Sequence, residues 1–207
     1  MTQSKVPVIG ITGITGSGAS TVAGFLEELG GMVISADRLA HEAVKKDQPA
    51  YVEIIELFGK EVLQEDGEIN RKALGKIVFG DKTKIKMLED IVHPVVVRQI
   101  EKLVVSCKKA FAVIDAPLLT ESGLDVLCDE TWCVTAPNEE RLARIMKRDG
   151  IDKTAALMRL ESRRDEHELM GKADFVLHNL GDFTELKKQV CQRTNTWGSN
   201  EMGPEDE

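Results

Sequence analysis

Short apolar runs recur along the chain at residues 6–11, 32–34, 111–114, 132–134 and 175–177. They are too short to be helices and are continuous rather than alternating, the pattern of strands covered on both faces. Between them the apolar positions fall at helical spacing, beginning with Val22, Phe25, Leu26 and Leu29 after the first run. Strand runs alternating with amphipathic helices predict an α/β fold around a five-stranded parallel sheet. Between the second and third runs lies a helical insertion of about 39–109. Its last helix carries Ile85, Leu88, Val92, Val95, Val96, Ile100 and Leu103, and Pro94 is expected to kink or divide it. A second helical region, basic in character, covers about 139–167.

Where the first run gives way to a helix, the chain reads Gly10-Ile11-Thr12-Gly13-Ile14-Thr15-Gly16-Ser17-Gly18-Ala19-Ser20-Thr21. This fits the phosphate-binding pattern G-x-x-x-x-G-K-[ST], except that Ala19 stands at the lysine position. Glycines let the backbone turn tightly enough to aim successive N–H groups at an anion, and the helix that follows adds its positive end. Ser20 is placed to hold Mg²⁺ by its hydroxyl. Without its lysine, the pattern also describes a glycine-rich turn that binds nothing, so residues elsewhere must decide. Open α/β sheets bind ligands beyond the carboxyl ends of their strands. Asp37 follows the second run, Asp115 ends the third, and Asn179 and Gly181 follow the fifth. Each alone reads as a helix cap or turn residue, and together with the loop they favour a site.

Composition narrows the partners. The 207 residues suit one domain, expected over 1–193, with a polar acidic tail at 194–207 expected to be unstructured. A net charge of −8 and a pI near 5.2 argue against a general nucleic-acid surface, so an anionic ligand needs a local basic site. Arg141, Arg144 and Arg148 recur at i, i+3 and i+7 and can present guanidinium groups from one helical face. The bland alternative, a solvated basic face, weighs most for Arg141. Cys107, Cys128, Cys133 and Cys191 form no C-x-x-C pair and read as reduced structural residues. No apolar stretch is long enough for a membrane span, Met1 to Lys5 lacks the apolar core of a signal peptide, and a cytoplasmic location is expected.

The ordered motifs resemble those of the dephospho-coenzyme A kinase family of P-loop kinases. The loop is similar to the family's opening, and Val33-Ile34-Ser35-Ala36-Asp37 with Ala40-His41 is similar to its V-I-D-A-D-x-x-A-H segment. Phe58-Gly59, Asp66-Gly67 with Arg71, Val78-Phe79 and His93-Pro94 match in order. So do Asp115 with Pro117-Leu118-Leu119 and Glu121, Arg148-Asp149, and Ala173-Asp174 with Asn179 and Gly181.

The resemblance implies a nucleotide-kinase fold and transfer of phosphate from ATP, with Mg²⁺, to the ribose 3′-hydroxyl of dephospho-coenzyme A. It makes 39–109 part of the acceptor site and 139–167 a mobile lid. Asp37 becomes the catalytic base, with Arg144 and Arg148 as catalytic cations and Ser20 and Asp115 as metal-holding groups. Gly13, Ile14, Thr15, Gly16, Ser17, Gly18, Ala19, Ser20 and Thr21 would surround the phosphates, with Asn179 and Gly181 near adenine. His41, His93, Leu118 and Leu119 would meet the acceptor, although His93 also reads as a hydrogen-bonded histidine at a helix break.

Two departures stand out. Ser35 replaces the first aspartate of the D-A-D segment, a change expected to alter how Asp37 or a metal-bound water is held. Ala19 removes an ammonium from the phosphates and is expected to lower activity unless another cation substitutes. A binding module without turnover and a kinase for another small alcohol stay open as alternatives.

Overall fold

The structure, a computed structural model, describes residues 6–160 and 165–199. In chain order, β1 (Val8–Gly13) leads into α1 (Ala19–Glu28) and β2 (Met32–Ser35). Four α-helices follow: α2 (Ala36–Ala43), α3 (Pro49–Phe58), α4 (Arg71–Val78) and α5 (Lys82–Val105). Then come β3 (Ala112–Asp115), β4 (Glu130–Thr135), α6 (Asn138–Asp149), α7 (Lys153–Leu160), α8 (Glu166–Lys172), β5 (Phe175–His178) and α9 (Phe183–Ser199).

The five strands form one parallel sheet in the order β2-β3-β1-β4-β5. β1 pairs with β3 on one side and β4 on the other, and all six of its residues are buried. That burial is what a central strand with helices over both faces requires. The chain leaves β1 toward β2 on one side and later crosses to β4 on the other. This opens a crevice at the carboxyl end of β1, where the glycine loop lies. Ile9, Ile11 and Trp132 of the sheet, Leu26 of α1, and Leu186 and Val190 of α9 share its core.

The chain divides into two compact units, 34–106 and the remainder. Within 34–106, Ile54, Phe58, Val62, Ile69 and Leu74 form a separate apolar cluster, packed by Leu88, Ile91 and Val92 of α5. The expected division of this last helix at Pro94 does not occur, because α5 is one continuous helix. Proline removes a single N–H donor, and the buried face that α5 keeps beyond it, Val96, Ile100 and Val104, outweighs that loss.

Part of the stretch expected to be unstructured is helical. Residues 194–199 continue α9, because Leu186 and Val190 anchor that helix and a nucleated helix propagates at low cost. The hydroxyls of Thr194 and Thr196 donate back to the carbonyls of Val190 and Gln192. Residues 200–207 lie outside the described residues, as do 161–164 of the expected lid. Among the described residues, no helix is long and apolar enough to cross a membrane.

Candidate active site

β1 ends at Gly13 and α1 opens at Ala19, so the loop turns within five residues, 14–18. Two glycines make that turn feasible. A side-chain carbon on Gly13 would lie 2.5 Å from Ser17 Oγ and 2.6 Å from the Val134 carbonyl oxygen. Gly18 is the N-cap of α1 in the left-handed conformation, φ 101°, and a side chain there would also collide with the Asn179 amide. No side chain caps α1 and its first turn carries no acidic residue, so the first N–H groups and the positive helix end are left for an external anion.

Side chains from distant segments grip the loop's carbonyls. Arg141 is 3% exposed; its Nε donates to Thr15 O at 3.0 Å and its Nη1 to Asn138 Oδ1 at 2.8 Å. Burial pushes the Arg141 pKa down, and the negative charge of Glu166 opposes that shift. Arg144 Nη1 donates to the carbonyls of Gly16 and Ser17, each at 3.2 Å, while its Nη2 donates to Asn179 Oδ1 at 3.0 Å. Asn179, 1% exposed, donates its own amide to Ser17 O at 2.8 Å.

These contacts give partners to residues that the sequence singled out. Arg141, the arginine for which a solvated face weighed most, is the most buried of the three and braces the loop. Asn179, expected near adenine, commits both ends of its amide to the loop and Arg144; Gly181 follows it at φ 102°. Helical spacing shows which residues share a face but not what stands opposite them. Arg141→Met is expected to reduce unfolding free energy by about 1 to 3 kcal/mol, because it removes the charged donor from the half-buried Thr15 carbonyl and from the Asn138 side chain. Urea unfolding measures this, and a variant as stable as the parent would show that the brace contributes nothing.

On the other side of the loop, Ser20 Oγ donates to Asp115 Oδ2 at 3.2 Å. The two groups expected to hold a metal are therefore neighbours. Among the described residues no cluster of three or more His, Cys, Asp or Glu could enclose a cation by itself. One or two protein oxygens with the other positions left to phosphate and water is the donor set that suits Mg²⁺, so the pair fits that ion. The segment after β3 is tied to β1, with Ala116 N–H donating to Ile11 O and the Thr12 hydroxyl donating to Pro117 O, both at 3.0 Å. Leu118 is 37% exposed and offers surface to a ligand. Leu119, expected at the acceptor, is 1% exposed and packs against Gly10, so it belongs to the core.

A cavity of about 460 Å³ adjoins the loop, lined by Gly18, Thr21, Arg144, Lys147, Arg148, Asn179 and Phe183. Arg148 is exposed and donates from Nε and Nη2 to the two carboxylate oxygens of Asp149, at 2.7 and 3.1 Å. That pairing raises the Arg148 pKa and holds the Asp149 carboxyl below its ordinary value; Arg159 adds to the latter. Lys147 and Phe183 were not among the expected site residues. For Lys147 a signal existed, since it lies three residues after Arg144 and so shares its face.

The 34–106 unit carries Asp37, His41 and His93. Asp37 lies exposed in the first turn of α2, directly after β2. Ser35 is the N-cap of that helix and accepts from Arg38 N–H at 3.3 Å. Serine and aspartate are comparable N-caps, so Ser35 keeps the local geometry around Asp37 while omitting a negative charge. His41 is exposed in the last turn of α2, and His93 is half-buried in the middle of α5.

The sequence profile described as dephospho-CoA kinase matches residues 7–185. A dephospho-CoA kinase of Carboxydothermus hydrogenoformans is 40% identical over 195 residues, covering 93% of this chain and 95% of the relative. A solved protein from Thermus thermophilus superposes with a TM-score of 0.80 at 33% identity, covering 93% and 98% of the two chains. The solved dephospho-CoA kinase from Campylobacter jejuni gives 0.59 at 30% identity, with the same 93% and 98% coverage. With the loop, its braces and the Ser20–Asp115 pair in place, the chain belongs to the dephospho-CoA kinase family.

Proposed function

We propose that this chain transfers the γ-phosphoryl group of ATP to the ribose 3′-hydroxyl of dephospho-coenzyme A. The observation that carries the reading furthest is the braced, uncapped N-terminus of α1 beside the Ser20–Asp115 pair. It supports a preorganised seat for a polyphosphate. Phosphoryl transfer asks for positioning and dispersal of charge rather than covalent chemistry from the protein. The uncapped backbone N–H groups at the start of α1 would serve the first need by donating to the phosphate oxygens. Ser20 and Asp115 would hold Mg²⁺, which when bound neutralises charge on the phosphates.

Asp37 would orient the acceptor hydroxyl and take its proton, a role that suits an exposed carboxylate at a helix start. His41, His93 and Leu118 would contact the acceptor. Arg144 stabilises the loop in the first place, and Arg148 would turn from Asp149 toward the nucleotide. The cytoplasm is the compartment that suits ATP and this acceptor.

Ala19 favours a second reading, a nucleotide-binding module without useful turnover. Incubation with ATP, Mg²⁺ and dephospho-coenzyme A, followed by direct chromatographic detection of coenzyme A, tests the two. Coenzyme A formed in proportion to protein supports the kinase. Tight ATP binding with no coenzyme A formed points to the module, and transfer only to another alcohol in a substrate panel rejects this acceptor.

A further inference from the structure

The phosphate-binding pattern calls for one mobile cation at position 19, and this chain has alanine there. The adjoining cavity is lined by three basic side chains, Arg144, Lys147 and Arg148. Two of them are already engaged. Arg144 spends its guanidinium on the carbonyls of Gly16 and Ser17, on Asn179 and on Glu140. Arg148 is forked onto Asp149, which Arg159 also reaches. The Lys147 ammonium, among the described residues, has neither a hydrogen bond nor an ion pair, and the α6 carboxylates of Glu140 and Asp149 are occupied by the arginines.

We propose that Lys147 binds the phosphates of the nucleotide and supplies the mobile positive charge that Ala19 omits. The inference rests on the ATP reading of the loop. Its backbone is held firmly, because Ile145 is buried in the core while Arg141 and Arg144, on the preceding turns of α6, are docked on the loop. Residues three apart share a helix face, so the Lys147 stem leaves α6 beside the guanidinium that touches Gly16 and Ser17. From there a flexible four-carbon stem carries a compact ammonium with three donors, and it can follow charge as it moves between phosphate groups. Arg144 cannot do so without releasing the loop it braces. Arg148 would first have to leave a bidentate carboxylate. Lys147 has no such contact to give up, and an unneutralised polyphosphate in the cavity would attract it.

The test uses the full chain with Lys147→Met, which keeps the length and removes the charge, and Lys147→Arg, which keeps the charge. ATP, ADP and adenosine binding are measured by calorimetry, and coenzyme A formation is followed in the parent and in an Ala19→Lys background. Lys147→Met is expected to weaken ATP and ADP binding about tenfold to a hundredfold while adenosine affinity stays within about twofold. Lys147→Arg should restore most of the loss. In the Ala19→Lys background the Lys147→Met penalty on kcat/KM should fall to about threefold or less, because residues that share one task are non-additive.

Parental ATP affinity in Lys147→Met overturns the proposal. So does an equal loss for ATP and adenosine, which marks a structural role, or an identical penalty in both backgrounds, which marks independent ones. A parent that makes coenzyme A with no Lys147 effect defeats this inference alone. A parent that binds ATP but makes no coenzyme A defeats the kinase reading, and the ATP and adenosine titrations still decide the case for Lys147.

Discussion

Asp37→Asn is expected to lower coenzyme A formation by about 10² to 10⁴ while leaving ATP affinity and folding close to those of the parent. Asparagine keeps the shape of the side chain and its capacity to orient a hydroxyl, but it cannot accept the proton. The helix around it should survive, because the α2 cap is the Ser35 hydroxyl rather than Asp37. Loss of an anion from the first turn of a helix costs only about 0.3 to 1 kcal/mol. Single-turnover measurement of coenzyme A at saturating ATP isolates the chemical step. Parental turnover in the asparagine variant would remove Asp37 from the mechanism, and a variant that loses ATP binding as well would give it a structural role instead.

Ala19→Lys is expected to raise phosphoryl transfer, by an amount that depends on Lys147. Position 19 opens α1 beside the uncapped N–H groups, so a lysine there enters an anion seat that already exists. A preorganised donor used in the transition state contributes on the order of 10² to 10³ in rate where nothing replaces it. With Lys147 supplying part of that charge, the gain in the parent should be about tenfold, and in the Lys147→Met background about 10². Coenzyme A must be detected directly beside ADP release, so that futile ATP hydrolysis is not counted as transfer. Equal gains in both backgrounds would separate the two lysines, and no gain in either would show that phosphate charge at position 19 does not limit the reaction.

Ala19 and Ser35 both lie where the chain departs from the pattern it resembles, and the structure treats them differently. Ser35 does the capping work an aspartate would do at the start of α2. Ala19 has no such substitute within the loop. Its methyl group packs at the margin of the sheet core, and the charge that lysine would bring has to come from outside the loop.

The sequence by itself determined the five strand positions and the glycine turn. A strand covered on both faces needs a continuous apolar run, and a turn of five residues between strand and helix needs glycine where a side chain would collide. It also placed Asp115 at the carboxyl end of its run and Ser20 just beyond the glycine turn, and the pairing of β1 with β3 is what makes them neighbours. Only the tertiary structure decided what the polar residues touch. Arg141, Arg144 and Arg148 fall at helical spacing and carry the same charge. One is buried under Thr15, one spans two loop carbonyls, and one faces a surface carboxylate. Leu118 and Leu119 are chemically identical neighbours, yet one is exposed and the other closes on Gly10. Local periodicity is set by bonds between near neighbours in the chain and is legible there. The roles of Arg141, Arg144 and Leu119 are set by partners that arrive from more than a hundred residues away.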